Sequence, residues 1–254
     1  MATAGVAGDG SRSVTDGGEA RGLDVLITGT SSGIGRATAL RFLGEGHRVW
    51  GLDVAAATIE SPSYQHFICD VADDSTLPEG LCPEVVVNNA GVQGSPDDIA
   101  VNLRGTINVT ERYAFAGEAA GERRELARTP SPRIRAVVMV GSASAHTGSE
   151  FPVYAASKGG VSTYAKNVAM RLAPQATCNS IDPGGVATEL NRPVMDDTAM
   201  WARIMDLTPL RRWASPEEIA DWIYFVAVRN RFMTGQNLLI DGGEAGRTEF
   251  VWPD

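Results

Sequence analysis

The sequence predicts a single α/β domain, a doubly wound parallel sheet with helices on both faces in three layers. Two observations favour this fold class: short apolar runs alternate with stretches of helical periodicity, and several runs end abruptly in Gly, Asp, Asn or Ser. In the first unit, apolar runs at residues 23–28 and 49–52 flank a helical stripe formed by Ile34, Ala37, Leu40 and Leu43. A strand, a helix and a second strand within about 30 residues form one parallel βαβ unit.

Further parallel strands are predicted where such apolar runs recur, at residues 66–71, 84–91, 136–140, 177–181 and 236–240. Pro78 and Gly80 interrupt the stretch before the second of these, so a crossover helix there must be brief. The charged residues 111–135 predict the end of a helix followed by a loop. Ser215 and Glu218 predict a capping box, and the helix after it should turn Ile219, Trp222, Ile223 and Val226 inward.

The composition indicates a globular protein with a large core and a small-molecule partner. Of 254 residues, 43% are hydrophobic, and the net charge is −9. That charge argues against a nucleic-acid partner and against adhesion to an anionic membrane. No apolar run approaches the roughly 18 residues of a membrane span. Three cysteines without a C-x-x-C pair and three scattered histidines predict neither a disulfide framework nor a metal site. We expect a cytoplasmic protein.

The two ends of the chain differ from its middle. Residues 1–21 are rich in small and polar residues and lack the features of a signal peptide, which predicts a disordered tail. Residues 22–254 then form the predicted domain. Near the C-terminus, Phe250, Val251 and Trp252 are apolar, and we expect them to dock on a neighbouring subunit.

The glycines of residues 29–35 have the spacing G-x-x-x-G-x-G between a predicted strand and a predicted helix. Such a turn lets the backbone approach a pyrophosphate at the positive end of the helix dipole. Asp53 follows Gly35 by 18 positions at the end of the next strand. There it can accept hydrogen bonds from an adenosine ribose and repel a 2′-phosphate, which favours NAD over NADP. The alternative for Asp53 is a solvated carboxylate. Neither Ser32 nor Val54 offers a positive charge to a 2′-phosphate.

Tyr154 and Lys158 are four residues apart, so on a helix they share one face. A lysine charge beside a phenol lowers the pKa of the phenol and makes it a candidate general acid or base. The alternative is a chance spacing. The helix continues with a buried stripe predicted at Val161, Ala165, Val168 and Leu172.

Ser142 precedes Tyr154 by 12 residues and follows the predicted strand 136–140. The carboxyl ends of strands in an α/β sheet are where ligand-contacting groups are presented. Ser142 is therefore a candidate site residue, with a turn serine as the alternative and Ser144 as the residue most easily confused with it. His146, in the same loop, is interpreted as a solvated histidine.

Together these motifs resemble those of the short-chain dehydrogenase/reductase (SDR) family, in its type of roughly 250 residues. The resemblance runs from about residue 23 to residue 243. Its motifs are Thr28-Gly29-x-x-x-Gly33-Ile34-Gly35, Asp53, Asp70-Val71, Asn88-Asn89-Ala90-Gly91, Asn102, Ser142, Tyr154-x-x-x-Lys158, Pro183-Gly184-Gly185-Val186-Ala187-Thr188 and Asp241-Gly242-Gly243.

The resemblance implies a Rossmann-like domain and a catalytic set of Asn102, Ser142, Tyr154 and Lys158. Tyr154 would be the acid or base, Lys158 would tune it and hold a ribose, and Ser142 would orient the substrate oxygen. Asn102 would kink its helix, hold a water and pass a proton from Lys158 toward solvent. The implied coenzyme-binding residues are Gly29, Ser32, Gly33, Ile34, Gly35, Asp53, Asp70, Val71, Asn89, Ala90, Gly91, Tyr154, Lys158, Pro183, Gly184, Val186 and Thr188.

The resemblance further implies an NAD-dependent alcohol dehydrogenase or ketoreductase that transfers hydride between a secondary alcohol and its ketone. Residues 191–212 would form a mobile lid, and their apolar content favours a hydrophobic or cyclic substrate, such as a hydroxysteroid-like alcohol or an intermediate of specialised metabolism. Packing of the same residues against the domain is the alternative.

Two spacings, from Asp70 to Asn88 and from Gly91 to Asn102, are shorter than is usual in the family. We expect a homo-oligomer, and these departures leave dimer and tetramer open. A catalytically idle NAD-binding sensor or scaffold is the alternative function, and a sugar epimerase of the extended type is another. The intact set of Asn, Ser, Tyr and Lys argues against the first, and the short chain after the last strand argues against the second.

Overall fold

The computed structural model describes residues 21–116 and 128–246. Residues 1–20 of the predicted tail and the apolar C-terminal residues Phe250, Val251 and Trp252 lie outside that range. In the described residues the strands, in chain order, are β1 (Asp24–Thr28), β2 (Arg48–Asp53), β3 (Tyr64–Ile68), β4 (Val85–Asn88), β5 (Phe115–Ala116), β6 (Thr129–Pro130), β7 (Ala136–Val140), β8 (Thr177–Pro183) and β9 (Asn237–Ile240).

Seven of these strands form one parallel sheet in the order β3-β2-β1-β4-β7-β8-β9. The order reverses between β1 and β4, which is the crevice where doubly wound sheets bind ligands. Between β3 and β4 the chain makes one short 3-10 turn, Asp74–Thr76. The predicted parallel sheet and the brief crossover are both confirmed.

The helices of the described chain are α1 (Gly33–Gly44), α2 (Thr106–Tyr113), α3 (Ser144–Thr147), α4 (Pro152–Leu172), α5 (Arg192–Asp196), α6 (Thr198–Leu207) and α7 (Pro216–Tyr224). A π-helical segment, Ile99–Gly105, leads directly into α2. Ser215 Oγ accepts a hydrogen bond from the N–H of Glu218 at 3.2 Å, and a Glu218 carboxylate oxygen accepts one from the N–H of Ser215 at 2.9 Å. The predicted capping box at the start of α7 is therefore confirmed.

Helices cover both faces of the sheet, so every residue of β1, β4 and β7 is buried. Helices α2 and α4 contribute to the core on one face, which includes the predicted stripe Val161, Ala165, Val168 and Leu172. Helices α1 and α7 contribute to the core on the other face. Burial of one Val or Leu side chain contributes about 1.5–3 kcal/mol. This arrangement confirms the three-layer α/β/α fold.

One residue of the predicted helical stripe of α1 and one residue predicted to face inward on α7 are exposed. Leu40 of α1 and Trp222 of α7 are each 42% exposed. Helix α1 instead buries Ala39 and Phe42, because it packs against α7 as well as against the sheet. The Phe42 ring meets the Tyr224 ring at 5.1 Å between centroids. The inward face of each helix is thus set by its neighbour as well as by its own apolar spacing.

The segment predicted as a helix end and a loop, residues 111–135, contains a short antiparallel ribbon in the part that the structure describes. Helix α2 ends at Tyr113, and β5 pairs antiparallel with β6, Phe115 opposite Pro130. Residues between β5 and β6 lie mostly outside the described chain. The prediction missed this ribbon because two-residue strands leave no periodic signal.

The carboxyl ends of the central strands lie side by side. The N–H of Gly141 donates to the carbonyl of Ile181 at 2.8 Å, and the N–H of Ala143 donates to the carbonyl of Pro183 at 2.7 Å. These bonds extend the pairing of β7 and β8 beyond the last regular residues of β7. None of the described helices combines the length and apolar character that a membrane span requires.

Candidate active site

A cleft of about 900 Å³ opens at the carboxyl edge of the sheet. Two of the predicted site residues, Gly35 and Asn102, are not among the residues that line the cleft. All the others line the cleft: Gly29, Ser32, Gly33, Ile34, Asp53, Asp70, Val71, Asn89, Ala90, Gly91, Ser142, Tyr154, Lys158, Pro183, Gly184, Val186 and Thr188. The structure thus brings together predicted residues from Gly29 to Thr188, which lie far apart in the chain.

The glycine turn between β1 and α1 has no room for a Cβ at Gly29 or at Gly35. Gly29 has φ +75°, which favours glycine. A Cβ on Gly35 would lie 2.0 Å from the Gly29 carbonyl oxygen and 2.5 Å from Asn89 Nδ2. Ser32 precedes α1, and its side chain makes no capping hydrogen bond. The first N–H groups of α1 are therefore available to an anion at the positive end of the helix dipole, which fits the pyrophosphate of a dinucleotide.

Thr28, at the end of β1, fixes the wall of the cleft opposite the glycine turn. Its hydroxyl accepts hydrogen bonds from the N–H groups of Asn89 at 3.0 Å and Ala90 at 2.9 Å. Asn89 Nδ2 returns a bond to the Thr28 carbonyl at 3.0 Å. These bonds hold the end of β4 against the glycine turn. Sequence reasoning quoted Thr28 only as part of a motif, because its partners lie 61 residues away.

Asp53 is held by two backbone donors at the end of β2. Its Oδ2 accepts a hydrogen bond from the N–H of Ser31, and its Oδ1 accepts one from the N–H of Ala55, both at 2.9 Å. The first bond ties the carboxylate to the glycine turn. Asp53 is therefore a fixed negative charge on the cleft wall.

Ser142 and Tyr154 form a pair of hydroxyls on the other half of the cleft. Burial raises the pKa of Tyr154 above the ordinary value of a phenol, a hydrogen bond with Ser142 lowers it, and the charge of Asp98 raises it. Ser142 Oγ also accepts a hydrogen bond from the N–H of Ser144 at 3.1 Å, which fixes the serine from the start of α3.

Lys158 lies one helical turn after Tyr154, and its ammonium donates to the carbonyl of Val140 at 2.9 Å. Burial lowers the pKa of Lys158 to about 8, and the charges of Asp182 and Asp98 oppose that shift. The ammonium lies 5.8 Å from the centroid of the Tyr154 ring. The expectation that Lys158 lowers the pKa of Tyr154 does not hold here, because the ammonium is directed at Val140 and burial of the phenol dominates.

Asn102 is fully buried in the π-helical segment. Its amide exchanges two hydrogen bonds with the backbone of Val92, at 2.8 and 2.9 Å, and donates to Ser157 Oγ at 3.0 Å. A Cβ on Gly91 would lie 3.0 Å from Asn102 Oδ1 and 3.4 Å from Lys158 Nζ. Asn102 therefore lies behind Gly91, beside the lysine, and braces the loop after β4 against α4.

This geometry matches known proteins along most of the chain. A family model described as Enoyl-(Acyl carrier protein) reductase matches residues 29–244. The chain belongs to the SDR family. At 31% identity it resembles a 2,3-dihydro-2,3-dihydroxybenzoate dehydrogenase of Escherichia coli (strain K12), over 87% of this chain and 96% of that relative. At 30% identity it resembles an L-rhamnose 1-dehydrogenase (NAD(P)(+)) of Azotobacter vinelandii, over 86% of this chain and 95% of that relative.

A solved SDR structure has the same fold. The aldohexose dehydrogenase of Thermoplasma acidophilum superposes with a TM-score of 0.75 at 27% identity, over 92% of this chain and 98% of that one. Both relatives and this neighbour are named as dehydrogenases. The comparisons therefore support an oxidoreductase of the SDR family.

The half of this SDR cleft near Ser142 and Tyr154 contains residues that the sequence patterns did not single out. Trp213 packs directly on Gly185, where a Cβ would lie 1.9 Å from the indole nitrogen. Glu244 lines the same half of the cleft. Trp213 lies between motifs in the chain, and Glu244 directly follows the motif Asp241-Gly242-Gly243, but no spacing rule indicates either residue. From the predicted lid, Val194, Met200 and Ile204 line the cleft, as their apolar character suggested.

Asp182 and His146 form a second unpredicted feature of the SDR site. Asp182 is fully buried at the end of β8, and its carboxylate accepts hydrogen bonds from Ser180 and Ser162. His146 Nε2 completes this set. The His146 side chain is 34% exposed, as its interpretation as a solvated loop residue implies, but the sequence did not indicate its contact with Asp182. The pairing of β7 with β8 places the imidazole beside this buried carboxylate.

Proposed function

We propose that this SDR catalyses reversible NAD(H)-dependent hydride transfer between a secondary alcohol and its ketone, with Tyr154 as the acid or base. The observation that carries the proposal is the pairing of the Ser142 and Tyr154 hydroxyls beside buried Lys158 in one cleft. A catalytically idle sensor or scaffold has no need for this pairing. The catalytic and coenzyme roles of the individual residues are part of the proposal.

The two hydroxyls act on the substrate oxygen. Ser142 donates a hydrogen bond that orients this oxygen, and Tyr154 exchanges the proton with it. A bound nicotinamide supplies or accepts the hydride. Because its pKa is raised, Tyr154 carries its proton at neutral pH, which is the form that protonates a ketone oxygen during reduction. In the direction of oxidation the same hydroxyl must first lose its proton, and its hydrogen bond with Ser142, which lowers its pKa, favours that loss.

Lys158 and Asn102 lie where the proton exchanged by Tyr154 would pass on toward solvent. The Lys158 ammonium has donors beyond the one used by Val140, and these can bind a ribose hydroxyl. Asn102 holds the loop after β4 so that Gly91, which has no side chain, lies beside the Lys158 ammonium. We propose that this arrangement leaves a passage between Lys158 and the loop. We infer that a water in this passage carries the proton toward solvent.

The proposed coenzyme is NAD rather than NADP. The fixed Asp53 carboxylate can accept hydrogen bonds from ribose hydroxyls, and it repels a 2′-phosphate. The proposed substrate has a hydrophobic or cyclic body, supported by the apolar lid residues Val194, Met200 and Ile204 on the cleft wall. Lid mobility, a cytoplasmic location and assembly into a dimer or tetramer stay predictions.

A panel of secondary alcohols, assayed for NADH formation with NAD and with NADP, tests this function. Tyr154→Phe should abolish turnover and leave NAD affinity nearly unchanged, because general acid–base catalysis contributes about 100- to 10,000-fold. Ser142→Ala should lose turnover by a similar factor. Ser144→Ala is the matched control, and its turnover should stay close to that of wild type. A Tyr154→Phe enzyme that keeps most of its activity would defeat the assignment, and NAD binding without any turnover would favour the idle sensor.

A further inference from the structure

Beyond Ser142 the cleft extends into a pocket of about 430 Å³. Ala143 and Thr147, which follow Ser142 in the chain, line it, so the pocket adjoins the catalytic hydroxyls. The rest of its lining is apolar except at the C-terminal turn: Gly185, Ile204, Leu207, Trp213, Glu244 and Ala245. A substrate whose reacting carbon lies at Ser142 and Tyr154 can place its distal part in this pocket.

Glu244 is the charged side chain among the described residues of this pocket, and the fold fixes its position. One carboxylate oxygen, Oε1, lies 2.6 Å from the hydroxyl of Thr208, which is only 1% exposed. The turn that carries Glu244 is closed by Asp241, whose carboxylate accepts the N–H groups of Gly243 at 2.9 Å and Ala245 at 2.7 Å.

The second carboxylate oxygen of Glu244 lies beside Gly184, a residue that also lines the cleft. Oε2 lies 3.1 Å from the position of a Cβ on Gly184, at the end of β8 next to the proposed coenzyme site. Within the described part of the chain, no donor reaches Oε2. An ionised carboxylate oxygen accepts up to two hydrogen bonds, so Oε2 can accept a donor from a ligand.

The wider cleft has an acidic lining. Among its described residues Lys158 is the basic one, and its ammonium is engaged by Val140. On the acidic side, Glu150 and Glu189 join Glu244, in addition to the carboxylates of the proposed coenzyme half. Like charges in a partly desolvated pocket repel, so this lining disfavours a substrate with a carboxylate or a phosphate in its distal part.

From these contacts we infer that the substrate carries a hydroxyl or ammonium group that donates to Glu244, on an apolar body that packs against Trp213 and Ile204. The substrate class is a diol or an amino alcohol with an apolar body between the two groups. The inference rests on the proposed function, and it assigns Glu244 as a specificity-determining residue.

Matched substrates test the inference. Four secondary alcohols share one carbon skeleton and end in a methyl, hydroxyl, ammonium or carboxylate group, each prepared with several spacer lengths. At the best spacer length, kcat/KM with NAD should be about tenfold or more higher for the hydroxyl and ammonium members than for the methyl member. The carboxylate member should be the poorest substrate.

Glu244→Gln keeps the size of the side chain and removes its charge. The variant should lose the advantage of the ammonium member, lose less of the advantage of the hydroxyl member, and accept the carboxylate member better. In wild type, the ratio of kcat/KM for the ammonium member to kcat/KM for the hydroxyl member then distinguishes an amino alcohol from a diol. Glu189→Gln is the control, because Glu189 lines the same cleft but its side chain is 79% exposed and pairs with Arg192. This variant should leave the order of the methyl, hydroxyl and ammonium members unchanged.

The inference is overturned if the methyl or carboxylate member equals the hydroxyl and ammonium members in wild type, or if Glu244→Gln leaves the order intact. Tyr154-dependent oxidation of any member would still uphold the proposed function in that case. If no member of the series is oxidised, the proposed function is in doubt. Binding of the same compounds to the protein then tests the role of Glu244 without turnover. The hydroxyl or ammonium probe should then raise Tm in the presence of NADH for wild type but not for Glu244→Gln, and equal Tm shifts would overturn it.

Discussion

His146 Nε2 lies 2.6 Å from Asp182 Oδ2, so the short helix after Ser142 is joined to the end of β8 through a fully buried carboxylate. Asp182 also opposes the downward shift in the pKa of Lys158. A Cβ on Gly141 would lie 2.0 Å from Asp182 Oδ1, which shows how closely the carboxylate packs beneath the serine loop. One side chain thus contacts the serine loop and acts on the charge of the lysine.

Replacement of His146 by Ala removes a donor from this buried carboxylate. We expect the free energy of unfolding to fall by about 1–2 kcal/mol, the usual cost of a lost partner to a buried polar group. The serine loop should also become less well fixed, so kcat should fall more than KM rises. Urea denaturation and steady-state kinetics measure the two effects.

The conservative change His146→Gln provides the control, because its amide can still donate to Asp182. Most of the stability and of kcat should return in this variant. A His146→Ala protein with the stability and kcat of wild type would show that the contact with Asp182 does not support the site.

The coenzyme preference should reverse when the charge at the end of β2 is reversed. In the double variant Asp53→Ala, Val54→Arg, a carboxylate that repels a 2′-phosphate is replaced by a guanidinium that binds one. The ratio of kcat/KM for NADP to that for NAD should rise by about 100-fold or more. The single variant Val54→Arg, with Asp53 in place, should keep its preference for NAD. A wild-type enzyme that already prefers NADP contradicts the role given to Asp53.

Coenzyme affinity should depend on pH through Lys158. Because burial lowers the pKa of Lys158 to about 8, its ammonium is present below that pH and is lost progressively above it. A ribose bound by the ammonium should therefore bind more weakly as the pH rises, with Kd for NADH increasing by at most about tenfold per pH unit. Fluorescence titration between pH 7 and pH 9.5, on the order of one unit below to one and a half above that value, measures this effect.

Lys158→Met is the control for this titration. It should bind NADH weakly at every pH, with a flat profile over the same range. A wild-type Kd that stays constant across the range would show that the Lys158 ammonium does not hold the coenzyme.

Two glycines of α1 should respond in opposite ways to substitution by Ala. Gly35→Ala forces a Cβ to within 2.0 Å of the Gly29 carbonyl oxygen, so the glycine turn must shift. Unfolding free energy should fall by about 1–3 kcal/mol, and NADH should bind more weakly. Gly44, at the end of the same helix, has open space around its Cβ position. Gly44→Ala should stabilise the protein by about 0.5 kcal/mol and leave NADH affinity unchanged. Equal effects on NADH affinity would contradict the close approach at Gly35.

Much of the fold could be predicted because local patterns and sheet topology agree. Strand β7 was predicted residue by residue, since residues 136–140 are a continuous apolar run before glycine. The end of β3 was misjudged: the strand stops at Ile68 rather than continuing to Val71. Residues after it line the cleft instead, and an apolar run alone cannot separate a strand from a buried loop.

The residues of the candidate site also fall into those that the sequence could predict and those that it could not. Tyr154, Lys158 and Asp53 could be assigned from spacing, because each lies on one element at a fixed distance from a motif. Asp182 and Glu244 could not, because their partners His146 and Thr208 are each 36 residues away and meet them only in the folded protein. The pKa of Tyr154 was misjudged for a related reason: neither its burial nor the engagement of Lys158 by Val140 is visible in the sequence.

The packing of α1 against α7 links the two ends of the domain. Arg41 Nε lies 2.7 Å from Asp221 Oδ1, although 180 residues separate them, and Phe42 meets Tyr224. The first turn of α1 is the proposed phosphate-binding element, and the contacts that hold the last turn of this helix come from α7. The position of the helix therefore depends on a part of the chain that is synthesised late. On the ribosome, coenzyme binding should therefore appear only after residue 224 has emerged, and a nascent chain halted before α7 should be unable to retain NADH.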